Sequence, residues 1–479
     1  MNLRLLAGFG LAACYLAGYA HKPATLSLDD CLAIALSDNP TVKVADMEVE
    51  RMDYSRKDVI GSLLPTVDFS GSYSRTLEKQ VMYMNMDGFG DFGGAPGSGE
   101  EAAKAASRAA SRASSGGDGG IKVGLDNSYS MGFSASLPII APQLWKSISL
   151  SDAQIARSLE ASRQSRQALV NQVKSAYYTL LLALDSRDVI QESYDMAALT
   201  YETYSKQYAA GAASDYDVLR TSVAMKNIEP QLMQADIAIK QARLQLLLLM
   251  GIDSTIDFDV ADRLSNYEET MYADALAMSD PDYSGNADLR LLDLDKKVLE
   301  KNLSVQKLAF APTLALAANY NWTSMNNGTP FRNMRWTPYS SVGLSLSVPI
   351  FQGGKRWNAV KQTRLQVEEL QLQRENLERS VAMQVNLAVD NIKINVKQIA
   401  SCSESVRQAD RAHTIMEKSF DIGAASYLNL RDSELALTQA RLAYFQAIYN
   451  YLVAGSELEL LLGNAPLEKY ATPQTVNQQ

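Results

Sequence analysis

The tetrapeptide Gly211-Ala212-Ala213-Ser214 returns as Gly423-Ala424-Ala425-Ser426, and 423 minus 211 is 212. The same offset links Trp145 with Trp357 and Gly251 with Gly463. Ala311-Pro312-Thr313-Leu314 echoes Leu64-Pro65-Thr66-Val67, and Pro349 matches Pro138. A chain duplicated in this way is folded twice from one plan. Each tetrapeptide ends one helical pattern and begins another. Glycine there takes the left-handed conformation that closes a helix, and the serine caps the next one. Both copies therefore read as tips of helical hairpins, at 211–214 and 423–426.

The elements between the tips follow the same plan. Ser27, with Asp30 three residues on, is placed as a capping box, and the pattern that follows is helical to about Leu63. The period then switches to two. Val67, Phe69 and Tyr73 alternate with Asp68, Ser70, Ser72 and Ser74, which predicts a strand over 66–77. Met131, Phe133, Ala135 and Leu137 predict a second over 128–139. A segment rich in Gly, Ser and Ala at about 86–124 reads as a mobile hairpin loop. From about Trp145 to Ala210 the helical period returns, with Val173, Tyr177, Leu180 and Leu184 on one stripe. At about 1.5 Å per residue this helix is on the order of 95 Å long. A return helix runs from about Asp215 to Leu249, and the first repeat spans 26–252. Residues 253–287 lose periodicity and read as the link between repeats. The second repeat, 288–463, has a helix to Phe310, strands at 313–324 and 340–350, and a long helix striped by Val385, Ala388, Val389, Ile392, Val396 and Ile399. Residues 464–479 read as a flexible tail.

Composition narrows the function. The net charge is −9, which argues against a nucleic-acid surface, because phosphate binding needs concentrated Lys and Arg. Two histidines, His21 and His413, and three dispersed cysteines, Cys14, Cys31 and Cys402, leave little material for metal or triad chemistry. No enzyme, cofactor or metal site is expected. Residues 1–20 read as an export signal, with Arg4 before an apolar run and small residues ending at Ala20. A competing reading takes Leu11-Ala12-Ala13-Cys14 as a lipobox, with Cys14 lipidated after cleavage. Beyond the leader no apolar run approaches the roughly 18 residues a membrane helix needs.

The four strands offer another way into a membrane. Each puts large apolar groups on one face and Ser, Gly, Ala or Asn on the other, at about the length that crosses a tilted barrel wall. Tyr73, Tyr320 and Trp322 at the loop ends, with Trp145 and Trp357 past the other ends, resemble interfacial girdles. Four strands cannot close a barrel alone, so copies must combine: eight strands would fill their own interior, and twelve, from three chains, would leave a pore. The small side chains on the polar face favour an open bore. The long helices, with narrow apolar stripes, would continue it as a coiled-coil cylinder.

The opening run Leu26-Ser27-Leu28-Asp29-Asp30-Cys31-Leu32-Ala33-Ile34-Ala35-Leu36-Ser37-Asp38-Asn39-Pro40, the strand end Ser347-Val348-Pro349-Ile350-Phe351 and the glycine-centred tips resemble those of the TolC family of outer-membrane efflux proteins. The resemblance covers Leu26 to Gly463. It implies a mixed α/β membrane protein: a homotrimer with a twelve-stranded barrel in outer-membrane lipid, four strands per chain, continued by a long antiparallel coiled-coil tunnel in the periplasm. Its expected partners are a periplasmic adaptor, meeting tip residues Gly211, Ala212, Ala213, Ser214, Gly423, Ala424, Ala425 and Ser426, and an inner-membrane transporter. The expected function is an exit duct for small molecules, with protein secretion as the alternative cargo and a coiled-coil surface adhesin as the reading from a different class. The resemblance also implies acidic rings past the tips, which here fall on Asp217 and Asp432. Phe420 and Ala425 occupy positions where a tyrosine and an arginine can tether a closed aperture, so this chain departs from that pattern and leaves the closing device open.

Three smaller motifs have plain explanations. Gly353-Gly354-Lys355 lacks the spacing of a phosphate loop and reads as a turn. His413, in a polar helical stretch, reads as a surface histidine. Met82, Met84 and Met86 alternate near a loop, where flexibility explains them better than soft-metal binding.

Overall fold

The computed structural model describes residues 24–83, 120–253, 256, 258–267, 282–464 and 467–470. The leader with Cys14, the side chain of Met82, Met84, Met86 and the remainder of the 86–119 segment lie outside the described residues, as do 471–479.

In chain order the elements are β1 (Ala24–Leu26), α1 (Leu28–Asp38), α2 (Pro40–Gly61), β2 (Thr66–Arg75), β3 (Gln80–Tyr83), β4 (Gly120–Val123), β5 (Asn127–Ile140), α3 (Pro142–Ala209), α4 (Asp215–Lys226), α5 (Glu229–Met250), β6 (Phe258–Val260), α6 (Ala287–Leu308), β7 (Thr313–Asn326), β8 (Thr337–Ser347), α7 (Lys355–Asp421) and α8 (Tyr427–Leu462), with 3-10 turns at Leu264–Tyr267 and Leu467–Tyr470. The described chain divides into two compact units. One holds Met1–Ser55, Leu150–Asn302 and Lys361–Gln479; the other holds Arg56–Ser149 and Leu303–Val360.

The helical unit contains the apolar core. Val173, Tyr177 and Leu180 of α3 are buried, as are Val385, Ala388, Val389, Ile392 and Ile399 of α7, so both apolar stripes face inward. They pack in one cluster with Cys31, Leu32 and Ala35 of α1, Leu246 and Met250 of α5, and Ile448 and Leu458 of α8. Burying a side chain of this size stabilises by about 1.5–3 kcal/mol. Helices α3 and α7 are continuous over 68 and 67 residues.

Prolines set two helix breaks that the sequence pattern runs across. The first helix is interrupted at Asn39, whose φ of −61 and ψ of 128 are extended. Proline at 40 disfavours the helical conformation in the residue before it. The first return helix is likewise interrupted at Asn227 and Ile228, because Pro230 has no N–H to donate to the carbonyl four residues back. In the second repeat the equivalent position, 230 plus 212, is Leu442, and α8 runs unbroken through it.

The duplication reaches individual hydrogen bonds. Asn39 Nδ2 donates to the Leu249 carbonyl at 2.7 Å, while its Oδ1 accepts from the Thr41 amide at 2.7 Å. Asn286 does the same in the second repeat, donating to Leu461 O at 2.8 Å and accepting from the Leu289 amide at 3.1 Å. Leu461 is Leu249 plus 212. Each asparagine thus starts one helix and satisfies an orphan carbonyl at the end of a return helix. Beside each, a glycine closes the return helix in the left-handed region, Gly251 at φ 70 and Gly463 at φ 69.

The link between the repeats is more structured than its lost periodicity suggests. β6 pairs in parallel with β1, Ala24 facing Phe258. Asp262 accepts hydrogen bonds from the buried Tyr177 hydroxyl at 2.8 Å and from Tyr267 at 3.2 Å. Asp185 of α3 accepts from the Leu264 amide at 3.0 Å and from Arg263 at 3.2 Å. After α8, Lys469 in the last 3-10 turn meets Asp29 at 2.8 Å.

The second unit is built on an antiparallel sheet with strand order β2-β5-β7-β8. Direct neighbours across the ladders include Phe69, Phe133 and Tyr320 on one face, and Ser72, Ser130, Thr323 and Thr337 on the other. On the first face Val67, Phe69, Phe133, Tyr320, Val342, Leu344 and Leu346 are exposed. Their rings touch, Phe69 to Phe133 at 5.0 Å and Tyr320 to Trp322 at 4.7 Å between centroids. The second face is polar and small, with Ser72 and Ser130 hydroxyls 2.8 Å apart. β2 and β8 are the edges of this sheet. β3 and β4 form a separate two-stranded ribbon, so residues 120–123 are strand where the sequence reading has loop.

Candidate functional site

The two hairpin tips close with the same backbone device. Gly211 has φ 77, its amide donates to Tyr208 O at 2.9 Å, and the Ala212 amide donates to Gln207 O at 2.8 Å. Gly423 also has φ 77, with its amide on Phe420 O at 2.9 Å and the Ala424 amide on Ser419 O at 2.7 Å. These are paired Schellman bonds, which satisfy the last carbonyls of α3 and α7. Ser214 and Ser426 then cap α4 and α8, accepting from the amides of Asp217 at 3.2 Å and Asn429 at 3.3 Å.

The caps differ in one respect. Asp217 completes a capping box, its carboxylate accepting from the Ser214 hydroxyl at 2.6 Å and the Ser214 amide at 3.4 Å. The hydroxyl bond holds the Asp217 carboxyl below the ordinary aspartate range. The equivalent position, 217 plus 212, is Asn429, so the second tip has no acid there. Asp432 is exposed on α8, and its equivalent, 432 minus 212, is Arg220. The two acids therefore stand at non-equivalent positions, and each has a different residue type, Asn429 or Arg220, as its counterpart in the other repeat.

The hairpins meet through a cluster that sequence reading misses. The buried Tyr427, first residue of α8, lies edge-on to Tyr204 of α3 with centroids 5.8 Å apart. Tyr204 also contacts Phe420 at 6.3 Å. The Arg220 guanidinium of α4 sits 4.5 Å from the Tyr427 ring centroid and 5.9 Å from that of Tyr216. Its buried Nε has no hydrogen-bond partner, so the ring faces carry much of its stabilisation. Burial, and then the nearby Asp217 charge, raise the Tyr204 phenol above its usual range. Below the cluster a cavity of about 260 Å³ is lined by Arg220, Val223, Ala224, Asn227, Tyr427, Leu428 and Arg431. The sequence signal for the cluster is aromatic residues within two turns of both tip motifs.

Two buried polar groups lie farther along the second hairpin. His413, expected at the surface, is buried, with Nδ1 3.4 Å from Ser433 Oγ. The polar residues around it face other directions, and α8 covers the ring. Glu434 is buried on α8, and desolvation raises its carboxyl above the glutamate range.

Comparison with known proteins adds a family to this geometry. Residues 32–252 and 284–464 match the outer membrane efflux protein family, one segment per repeat. Outer membrane protein TolC of Escherichia coli strain K12 is 22% identical over 364 residues, covering 71% of this chain and 73% of that protein. Alkaline protease secretion protein AprF of Pseudomonas aeruginosa is 24% identical, covering 70% of each chain. Among solved structures, the Campylobacter jejuni CmeC outer membrane channel superposes with a TM-score of 0.67 at 17% identity, covering 92% of this chain and 88% of that one.

Proposed function

This chain belongs to the outer membrane efflux protein family, and on that premise we propose that three copies form the exit duct of a tripartite efflux system. Proteins of this family are outer-membrane channel proteins, not enzymes. The observation that carries the proposal is the sheet. One face carries the exposed Val67, Phe69, Phe133, Tyr320, Val342, Leu344 and Leu346, the other is mostly small and polar, and β2 and β8 are left as edges. In water such a face is an aggregation hazard; in lipid it is the outer wall of a barrel. Unpaired edges are not tolerated in a bilayer, so β2 of one copy pairs with β8 of the next. Three copies give twelve strands and leave a bore for the small polar face to line.

The helices supply the periplasmic tunnel, and the tips supply its mouth. The adaptor meets Gly211 to Ser214 and Gly423 to Ser426, whose small side chains admit close approach of a partner's backbone. The contacts of Arg220 and Tyr204 with Tyr427 hold the two hairpins of one chain together at that mouth. Asp432, exposed, and Asp217, fixed by its cap, add negative charge and favour cations at the aperture.

The cargo is small toxic molecules. Secretion of a protein is the second reading, favoured by the likeness to AprF, whose name ties that protein to alkaline protease secretion. A surface adhesin, with a single stalk and separate head, fits neither the duplicated plan nor the family. The purified protein in planar bilayers is expected to conduct with cation preference, and Asp432→Asn to reduce that preference. Absence of conductance from wild type and from aperture variants alike would overturn the duct. Deleting the gene separates the cargoes: sensitivity to small toxic compounds supports efflux, and loss of one secreted protein supports secretion.

A further inference from the structure

Where β8 hands the chain to α7, a cavity of about 240 Å³ is lined by Phe310, Pro349, Ile350, Phe351, Lys355 and Arg356, among others. Along β8 and its continuation every second residue, Val342, Leu344, Leu346, Val348 and Ile350, is aliphatic and more than half exposed. Phe351 and Trp357 are exposed as well. The apolar stripe of the sheet thus runs without a gap to the cavity. Gly353 and Gly354 then take φ values of 58 and 78, and this turn brings Lys355 and Arg356 onto the same cavity. Among the described residues neither cation has an ion-pair partner.

The first repeat is an internal control. At the same offset of 212 it keeps the tryptophan, Trp145, but has Ala141-Pro142 for the glycines and Gln143-Leu144 for the two cations. Its nearest cation is the single Lys146, one residue past Trp145. A girdle for membrane depth needs only the tryptophan, which both repeats have. The paired cations and the turn that aims them belong to one repeat, and they need a separate explanation.

We infer that this cavity holds the phosphate-bearing headgroup of an anionic phospholipid, one per chain, with Ile350 and Phe351 among its acyl chains. The inference rests on the membrane reading of the sheet. Exposed aliphatic side chains select a ligand with acyl tails over free phosphate. Arginine meets a phosphate with two parallel donors, and a lysine beside it adds a point charge. A cation near an anionic lipid surface strengthens binding by about fivefold, so the pair is worth roughly 25-fold.

The test uses the full chain, detergent-purified and delipidated, then offered dioleoyl phosphatidylglycerol, dioleoyl phosphatidylcholine or inorganic phosphate. Native mass spectrometry counts retained lipid, and planar bilayers report insertion. Wild type is expected to retain one phosphatidylglycerol per chain in preference to phosphatidylcholine. Lys355→Gln/Arg356→Gln is expected to lose that preference by about 25-fold while inserting and conducting as before. Lys146→Gln is expected to keep it. Equal retention of both lipids by wild type, unchanged retention by the double variant, or occupancy by inorganic phosphate alone would each overturn the site. A chain that inserts but shows no lipid preference removes the site alone; one that never enters a bilayer removes the membrane reading and the site with it.

Discussion

The Arg220 guanidinium lies over the Tyr427 ring, 4.5 Å from its centroid, and joins the return helix of one hairpin to the first turn of the other. Tyr427 follows directly on Ser426, the cap that turns the chain at the second tip. Any outward swing of the second tip relative to the first must therefore break this contact, along with those of Tyr204 to Tyr427 and Phe420. A desolvated cation–π contact is worth about 1–2 kcal/mol.

Replacing either partner should loosen the mouth. Arg220→Ala and Tyr427→Leu are each expected to raise the open fraction in planar bilayers by roughly 5–30-fold. The double variant should gain little beyond the larger single effect, because both changes remove one contact. Additive effects would mean that the two residues act separately. Unchanged gating in both single variants would mean that the contact is not the latch.

Much of this geometry was open to sequence reading, and the losses have physical causes. The alternation of Val67, Phe69 and Tyr73 survives as one face because the side-chain period of a strand is fixed at two. The stripes from Val173 to Leu180 and from Val385 to Ile399 survive because a long helix repeats its period many times. β1 and β6 escaped because three-residue strands show no period and pair across more than two hundred residues, Ala24 with Phe258. The break at Asn227 was written in Pro230, yet the apolar pattern continues past it and masks the missing donor. His413 looked exposed from its polar neighbours; what buries it is a helix from the other side of the tip. The contact of Arg220 with Tyr427 depends on how two hairpins lie side by side, which no local pattern encodes.

Glycines closing the helices should not be equally replaceable. At Gly423 a Cβ would meet nothing within 4 Å, so Gly423→Ala carries only the left-handed backbone cost of about 1–2 kcal/mol. At Gly463 the same Cβ would strike the carbonyl of Gly285, which is backbone and cannot swing aside. Gly463→Ala is therefore expected to lower the thermal midpoint of the solubilised protein well beyond Gly423→Ala. Equal losses would show that the Gly285 segment yields freely.

Glu434 makes stability depend on pH. Desolvation raises its carboxyl, against the attraction of Arg431 and with help from Glu417. For an acid raised on folding, the native state favours the proton. Its contribution is fullest at low pH and is lost as pH rises through the folded value. Glu434→Gln is expected to raise the midpoint at neutral pH by roughly 1 °C, the scale of about 1 kcal/mol in a chain of this length. The advantage should vanish near pH 4, where an ordinary glutamate is itself half protonated. A gain that persists there would point to packing instead of charge. The first repeat, with Ser222 at the equivalent position, has no such dependence to lose.

Pro230 distinguishes the two hairpins mechanically. The return helix of the first is α4 followed by α5, interrupted at Asn227 and Ile228, whereas α8 crosses the equivalent Leu442 unbroken. A proline inside a helix removes one backbone bond and clashes with the carbonyl four residues back, at a cost of about 3 kcal/mol where the helix would otherwise be continuous. Pro230→Leu restores the donor and copies the second repeat, so the two segments should fuse into one helix. Hydrogen exchange is the direct measurement: amides from Asn227 to Leu232 are expected to slow toward the rates of residues 439–444 in α8. If that interruption is the joint about which the first tip moves, the same variant should also lower the open fraction, opposite in sign to Arg220→Ala. Protected amides with unchanged gating would leave Pro230 as a feature of shape alone, and would assign the movement to the second hairpin.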